Sequence, residues 1–128
     1  MNNSNRPDIL VVDDSSFIRT TVKKALESEG FNVHTARDGL AALKTLTDKS
    51  APPVDLILTD LNMPNMDGEQ LCVEIKKKEE LKSLPVLFLT SQVNQKTESL
   101  IFKAGANDFI AKPFIKELLL ARIFVQLQ

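Results

Sequence analysis

Four short apolar runs in this chain each lead into polar residues, and helical patterns separate them. The runs occupy residues 9–12, 56–59, 86–89 and 109–111. Apolar runs of this length, bounded in this way, predict buried strands of a parallel sheet. A further run at 31–36 is less apolar and predicts a strand nearer an edge of the sheet.

Helical spacing of apolar positions predicts five helices, one after each strand. Gly30 stands where a C′ glycine would end the first helix, Asp38 opens the second, and Gly105 stops the fourth, which begins near Asn94. The last helix, Glu117 to Gln128, stays amphipathic to its end. The apolar positions of the earlier helices are Phe17, Ile18, Val22, Ala25 and Leu26 with Thr21, then Leu40, Leu43 and Leu46, then Leu71, Cys72 and Ile75.

The alternation of strands and helices predicts a doubly wound α/β domain with helices on both faces of a parallel sheet. Five strands are too few for a barrel of eight. The carboxyl ends of parallel strands share one edge, where ligands bind. The polar residues that follow the strands should therefore meet in one crevice: Asp13, Asp14, Asp60, Thr90 and Lys112.

Taken singly, most of these residues have an ordinary structural explanation. Asp13, Asp14, Asp38 or Thr90 could each cap a helix, because aspartate and threonine favour that position. Lys112 alone would be a solvated surface lysine. Asp60 is harder to explain in this way, since it directly follows a continuous apolar strand. The shared edge favours a functional cluster.

The predicted cluster has a definite chemistry. Two carboxylates about 4 Å apart repel by about 4 kcal/mol at an effective dielectric of about 20, so three of them need a cation or a proton. Oxygen ligands suit a hard ion such as Mg²⁺, whereas His34 and Cys72 are isolated and offer no zinc site. A carboxylate can act as a nucleophile and form an aspartyl phosphate.

Composition narrows the possible functions. The chain has 128 residues, a net charge of −1 and a single cysteine. The length predicts one domain at 8–128 after a flexible tail at 1–7, and the charge argues against direct nucleic acid binding. No apolar stretch reaches the roughly 20 residues of a membrane span. One cysteine allows no internal disulfide and fits a reducing, cytoplasmic setting, and no glycine-rich phosphate loop is present.

Five motifs follow one another at characteristic spacings along the chain. They are Val11-Val12-Asp13-Asp14-Ser15, Asp60-Leu61-Asn62-Met63-Pro64 with Met66 and Gly68, Thr90, Gly105-Ala106 and Lys112-Pro113-Phe114. Together, over roughly Asp8 to Leu127, they resemble the receiver domain of two-component response regulators. The resemblance implies a flavodoxin-like sheet with strand order 2-1-3-4-5.

This resemblance implies that Asp60 accepts a phosphoryl group from the phosphohistidine of a histidine kinase or a histidine phosphotransfer protein. It also implies that Mg²⁺ is held by Asp13, Asp14, Asp60 and the backbone carbonyl of Asn62. The expected product is an aspartyl phosphate at the edge of the sheet.

The resemblance further implies a switch. Lys112 would pair with the phosphoryl group, and the Lys112-Pro113 peptide bond would be cis. Thr90 would turn toward the phosphoryl oxygens and Phe109 would turn inward, which changes the surface. Plain core packing is the alternative explanation for Phe109.

One position departs from the commonest pattern of that family. Ser91 follows Thr90 where a small apolar residue is usual. We hypothesise that Ser91, together with Asn62 and Gln92, tunes hydrolysis of the acyl phosphate by ordering or excluding water.

Partner surfaces are implied with less detail. In the family the first helix docks the phosphodonor, here through Arg19, Thr20, Lys23 and Lys24 beside Ser15 and Ser16; an ordinary solvated helix face is the alternative. The fourth helix, fifth strand and fifth helix would form a homodimer or output face. The last helix has no stop signal, which predicts an output domain in a longer parent chain, with a single-domain regulator as the competing view.

Two other functions fit parts of this pattern. A phosphatase of the haloacid dehalogenase type needs a second aspartate as general acid, but position 62 is Asn62, which cannot donate a proton as an acid. A receiver-like scaffold that no longer uses phosphate is the other alternative, and the complete set of polar residues argues against it.

Overall fold

The structure is a computed structural model that describes residues 6–128, and these residues form five strands and five helices. The strands are β1 (Asp8–Val12), β2 (Asn32–Ala36), β3 (Leu56–Thr59), β4 (Val86–Thr90) and β5 (Asp108–Ala111). The helices are α1 (Ser16–Glu27), α2 (Gly39–Thr47), α3 (Gly68–Lys77), α4 (Gln95–Lys103) and α5 (Lys116–Leu127). Most of the predicted tail, residues 1–5, lies outside the described residues.

All strand pairings are parallel, and the order is β2-β1-β3-β4-β5. The predicted fold class is confirmed, and β2 is an edge strand as its weaker apolar content indicated. Val12 is in register with Thr59, and Thr90 with Ala111. The strands therefore end together, and the residues that follow them lie along one edge of the sheet.

Helix caps separate the capping aspartates from the clustered ones. Asp38 caps α2 by accepting a hydrogen bond from the Ala41 N–H (2.8 Å). The cap of α1 is Ser15, neither Asp13 nor Asp14, and the cap of α4 is Asn94. Capping therefore explains Asp38, and it leaves the aspartates that follow β1 available for another role.

Two apolar layers fix the sheet between the helices. Alternate strand residues point to opposite faces, so Ile9 and Val11 pack toward α1 and α5 while Leu10 and Val12 pack toward α2, α3 and α4. The strand and helix residues of both layers are almost fully buried. Because helices pack on both faces of the sheet, the backbone at its carboxyl edge is held rigidly in place. No helix within residues 6–128 is long and apolar enough to cross a membrane.

Some predicted apolar positions are wrong in detail. Phe17 is 74% exposed, because it lies nine residues before the buried Leu26, about two and a half helical turns, and so on the opposite side of α1. Leu40 is also exposed, turned away from the buried Ala42 of α2. On the amphipathic α5, Leu118 and Val125 are exposed as well.

Gly30 ends α1 in the way the sequence predicts. Its φ is 92°, in the left-handed region that favours glycine. The Gly30 N–H donates to the Glu27 carbonyl (3.0 Å) and the Phe31 N–H donates to the Leu26 carbonyl (3.3 Å), the two hydrogen bonds typical of a C′ glycine.

Adjacent leucines of α5 test which face of that helix carries its stability. Leu119 is 0% exposed and Leu118 is 44% exposed. We expect Leu119→Ala to lower the free energy of unfolding by about 2–5 kcal/mol, because it leaves a cavity in the core. The matched control Leu118→Ala should change it by less than about 0.5 kcal/mol. Urea denaturation measures both, and similar losses would contradict the assigned face.

Candidate functional site

Three carboxylates meet at the carboxyl edge of the sheet. Asp13 and Asp14 follow β1, Asp60 follows β3, and one oxygen from each lies within 4.8 Å of the other two. Asp13 is buried, Asp60 is half-buried and Asp14 is exposed. Hard divalent cations bind such sets of carboxylate oxygens, so the residues fit the Mg²⁺ that the sequence predicted. The exposed side of the cluster leaves room for water ligands.

Lys112 joins two of these carboxylates. Its Nζ lies 2.8 Å from Asp13 Oδ2 and 3.4 Å from Asp60 Oδ2. Burial of the ammonium lowers its pKa, but the hydrogen bond to Asp13 and the charges of both aspartates outweigh this effect, so the pKa of Lys112 is raised above its usual value. The ammonium therefore stays charged beside Asp60. The Lys112-Pro113 peptide bond is cis.

Asp60 is held firmly but is not fully neutralised. Its backbone N–H donates to the Val12 carbonyl (2.9 Å), and its Oδ1 accepts from the Leu61 N–H (2.8 Å). Burial raises the pKa of Asp60, and the charge of Asp13 adds to the rise, while the charge of Lys112 and the Leu61 hydrogen bond oppose it. The net pKa is above the ordinary aspartate value. Burial therefore disfavours the ionised form of Asp60 in the metal-free protein, despite the nearby ammonium.

Two contacts fix the loop between β1 and α1. The Ser15 N–H donates to Asp13 Oδ1 (2.9 Å), and Arg19 Nη1 donates to the Asp13 carbonyl (2.6 Å). Arg19 was expected on the exposed face of α1, so its contact with this loop was missed. The sequence spacing could have indicated this contact. Arg19 lies four residues after Ser15, the N-cap of α1, so it is one helical turn from the cap and on the same side of the helix.

Thr90 and its neighbours lie beside the cluster. The Thr90 carbonyl accepts from the Lys112 N–H (2.9 Å), and its buried Oγ1 accepts from the Gln92 N–H (3.2 Å). The Ser91, Gln92 and Asn62 side chains are exposed. Phe109 is half-buried in β5, and its ring meets that of Phe102 edge-on, with ring centroids 6.1 Å apart.

Gly68 brings α3 against the phosphoacceptor candidate. Its N–H donates to the Leu61 carbonyl (2.8 Å). A Cβ at this position would overlap the Asp60 carbonyl oxygen and would lie 2.8 Å from Cε2 of Phe88. The absence of a side chain at Gly68 therefore allows the close approach that sets the backbone position of Asp60.

Removing the Asp60 charge should stabilise the metal-free protein. The folded protein holds a proton on Asp60 to a higher pH than the unfolded chain does. The stability linked to that proton is fully present below the unfolded pKa, about 3.9, and is lost as pH rises through the folded pKa. We expect Asp60→Asn to unfold at higher urea concentration than wild type at neutral pH, with a smaller difference in acid.

Asp67→Asn is the control for this comparison, because asparagine keeps the helix cap and position 67 lies outside the cluster. A midpoint for Asp60→Asn equal to or below wild type at neutral pH in the absence of divalent cations would show that burial of the Asp60 charge does not destabilise the protein.

Comparisons with known proteins agree with the family resemblance and with this fold. The chain is 43% identical over 107 residues to chemotaxis protein CheY-3 of Vibrio cholerae, which covers 83% of this chain and 80% of that protein. It is 38% identical over 116 residues to the CAI-1 autoinducer sensor kinase/phosphatase CqsS of Vibrio cholerae. That match covers 90% of this chain, and the chain spans only 16% of CqsS.

A solved structure of a response regulator has the same fold. The Mn²⁺-bound form of response regulator Rcp1 superposes with a TM-score of 0.79 at 30% sequence identity, over 94% of this chain and 91% of that chain. The family model described as "Response regulator receiver domain" matches residues 9–124. With this match over most of its length, the chain belongs to the response regulator receiver domains of two-component signalling.

Proposed function

We propose that this receiver domain accepts a phosphoryl group on Asp60 from a phosphohistidine of a histidine kinase or a histidine phosphotransfer protein. The observation that carries the proposal is the Lys112 ammonium, 3.4 Å from Asp60 Oδ2 within a cluster of three carboxylates. Receiver domains are in general signalling domains and not enzymes, so the reaction modifies the domain itself.

A divalent cation, Mg²⁺, completes the proposed site. Asp13, Asp14, Asp60 and the Asn62 carbonyl would hold it, and its oxygen preference fits this donor set. When bound, the ion supplies positive charge to the phosphoryl oxygens and the carboxylates. The close approach of three carboxylates supports the need for this charge. The solved relative Rcp1 is described in a Mn²⁺-bound form.

The proposed transfer is a displacement at phosphorus. An Asp60 carboxylate oxygen attacks the phosphorus, a P–O bond forms, and the P–N bond to the donor imidazole breaks. The electron pair of that bond stays on the imidazole nitrogen, which takes a proton. The Lys112 ammonium binds a phosphoryl oxygen and holds it in place for attack. The product is a mixed anhydride of Asp60 and phosphate.

The switch would begin at Thr90. Its hydroxyl accepts a hydrogen bond from the Gln92 N–H (3.2 Å) and would turn to donate to a phosphoryl oxygen. Phe109, half-buried on the neighbouring strand, would then move inward and change its edge-on contact with Phe102. A local charge is in this way converted into a change of surface.

Surfaces for partners follow from the same proposal. The first turns of α1 beside the cluster would dock the phosphodonor, and α4, β5 and α5 would form the output or homodimer face. The latter face exposes Leu100, Phe102 and Leu118. Since the chain spans only part of CqsS, an output domain in the same parent chain is also proposed. Neither a membrane nor nucleic acid is a proposed partner of this domain, and its cytoplasmic location remains a prediction.

Intact mass spectrometry tests the proposed acceptor. We expect one phosphoryl adduct after incubation with acetyl phosphate and Mg²⁺, and none with Mg²⁺ removed by chelation. Asp60→Asn should lose the adduct, because an amide is a poor nucleophile. The control Asp67→Asn should keep it.

A second donor guards against poor reactivity with acetyl phosphate. A phosphorylated histidine phosphotransfer protein would be tried in parallel. A wild-type protein that forms no adduct with either donor would favour the phosphate-independent scaffold.

Autodephosphorylation rates test whether the exposed side chains at the mouth of the site tune hydrolysis. We expect Ser91→Ala and Gln92→Ala each to change the rate constant by about 2- to 10-fold, the equivalent of one hydrogen bond. A slower rate means that the side chain orders the attacking water, and a faster rate means that it excludes water. Ser99→Ala, exposed on α4, is the matched control. Autodephosphorylation rates equal to wild type in both variants would contradict the hypothesis that these side chains tune hydrolysis.

A further inference from the structure

A partly buried hydrogen bond joins the start of α2 to the loop between β3 and α3. Asn65 Nδ2 donates to Asp38 Oδ2 at 2.7 Å, and Asp38 is 2% exposed. Beside it, the Gly39 N–H donates to the Met66 carbonyl (2.9 Å). A Cβ on Gly39 would lie 2.6 Å from that carbonyl oxygen, so the approach of the two segments needs glycine there. We call the Asn65–Asp38 hydrogen bond the loop tie.

The loop tie uses a carboxylate oxygen that helix capping does not need. Asp38 Oδ1 caps α2 through the Ala41 N–H (2.8 Å), and a serine hydroxyl would serve for that purpose alone. Oδ2 instead accepts the Asn65 amide. The hydrogen bonds from Ala41 and Asn65 lower the pKa of Asp38, so its carboxylate is ionised, and hydrogen bonds to an ionised acceptor are the stronger kind.

Asn65 has a backbone conformation that needs support. Its φ is 67°, in the left-handed region that side chains other than asparagine and aspartate rarely adopt. Such conformations persist where surrounding contacts hold them, and they cluster at functional sites. Here the loop tie and the neighbouring Gly39–Met66 hydrogen bond supply the holding contacts.

The loop that is held in this way connects the phosphoacceptor to α3. The loop begins at Asp60, and the Gly68 N–H at the start of α3 donates to the Leu61 carbonyl (2.8 Å), which joins the two ends of the loop. Asn62, whose carbonyl is the proposed backbone ligand of the cation, lies between Leu61 and Asn65. The loop tie therefore restrains the middle of the loop, between the two ends that this hydrogen bond joins.

We propose that Asp38 and Asn65 are positioning residues for the cation site: their hydrogen bond holds the β3–α3 loop so that the Asn62 carbonyl is presented to the divalent ion. This inference rests on the proposed function. Neither residue belongs to the carboxylate cluster, and each acts through the backbone that it restrains. Partners of this kind orient ligands and raise metal affinity.

Two substitutions break the loop tie while sparing other features. Asp38→Ser keeps a capping oxygen for α2 but is too short to reach Asn65. Asn65→Gly removes the donor, and glycine adopts a φ of 67° without strain. Asp67→Ser is the matched control, since it makes the same change at the cap of α3.

Mg²⁺ titration of the whole chain, followed by amide chemical shifts, is the first readout. We expect each variant to raise the Kd for Mg²⁺ by about 3- to 10-fold, below the 10- to 100-fold typical of a group that contacts a ligand directly. The double variant should lose no more than the larger single loss, because both substitutions remove one interaction. Asp67→Ser should bind as wild type.

Hydrogen exchange in the metal-free protein is the second readout, independent of the cation. The Gly68 amide, bonded to the Leu61 carbonyl, should exchange faster in both variants than in wild type, while amides of β1 should not change. A purely structural role would instead lower the global stability without changing Mg²⁺ affinity in the folded protein.

The outcomes separate this inference from the proposed function. Unchanged Kd values with an adduct still formed on Asp60 would overturn the positioning role and leave the phosphoacceptor intact. Weakened binding in both variants without any adduct on wild type would support the positioning role and overturn the phosphoacceptor. Additive losses in the double variant, or a wild type that binds no Mg²⁺, would also overturn the positioning role.

Discussion

The Lys112 ammonium, set between Asp13 and Asp60, is the interaction on which the site depends. Its Nζ reaches 2.8 Å from one carboxylate and 3.4 Å from the other. These side chains follow β5, β1 and β3, so the ion pairs cross the edge of the sheet. Removing the ammonium would leave the Asp13 and Asp60 carboxylates without their shared partner, which costs more than the ion pairs themselves gain. One ammonium does not balance three carboxylates, and burial raises the pKa of Asp60 despite the nearby ammonium.

A rigid base makes this charge cluster possible. Both faces of the sheet are covered by buried apolar residues, and the aligned strand ends fix the backbone from which the polar side chains project. The loops supply the chemistry, as is usual where rigid elements position functional groups. Gly68 and Gly39 let helices approach those loops closely. The domain thus holds three carboxylates and an ammonium in a fixed arrangement at the edge of the sheet.

Local patterns predicted much of this arrangement, because strand ends and helix caps are local features. The apolar run before Asp60 indicated a buried strand, and the shared edge then predicted its proximity to Asp13 and Lys112. Strand order came from the family resemblance. Contacts that depend on side-chain direction could not be predicted: Arg19 turns back to the Asp13 carbonyl, and the second oxygen of Asp38 meets a loop 27 residues away.

Reduction of the phosphorylated chain with borohydride locates the modified residue most directly. An acyl phosphate is reduced to an alcohol, whereas a free carboxylate is not, so the treatment marks only the phosphorylated aspartate. After acetyl phosphate and Mg²⁺, peptide sequencing by tandem mass spectrometry should find homoserine at position 60 and unchanged aspartate at Asp13 and Asp14. Homoserine at another aspartate, or an adduct that leaves Asp60 unreduced, would contradict the assignment of the phosphoacceptor.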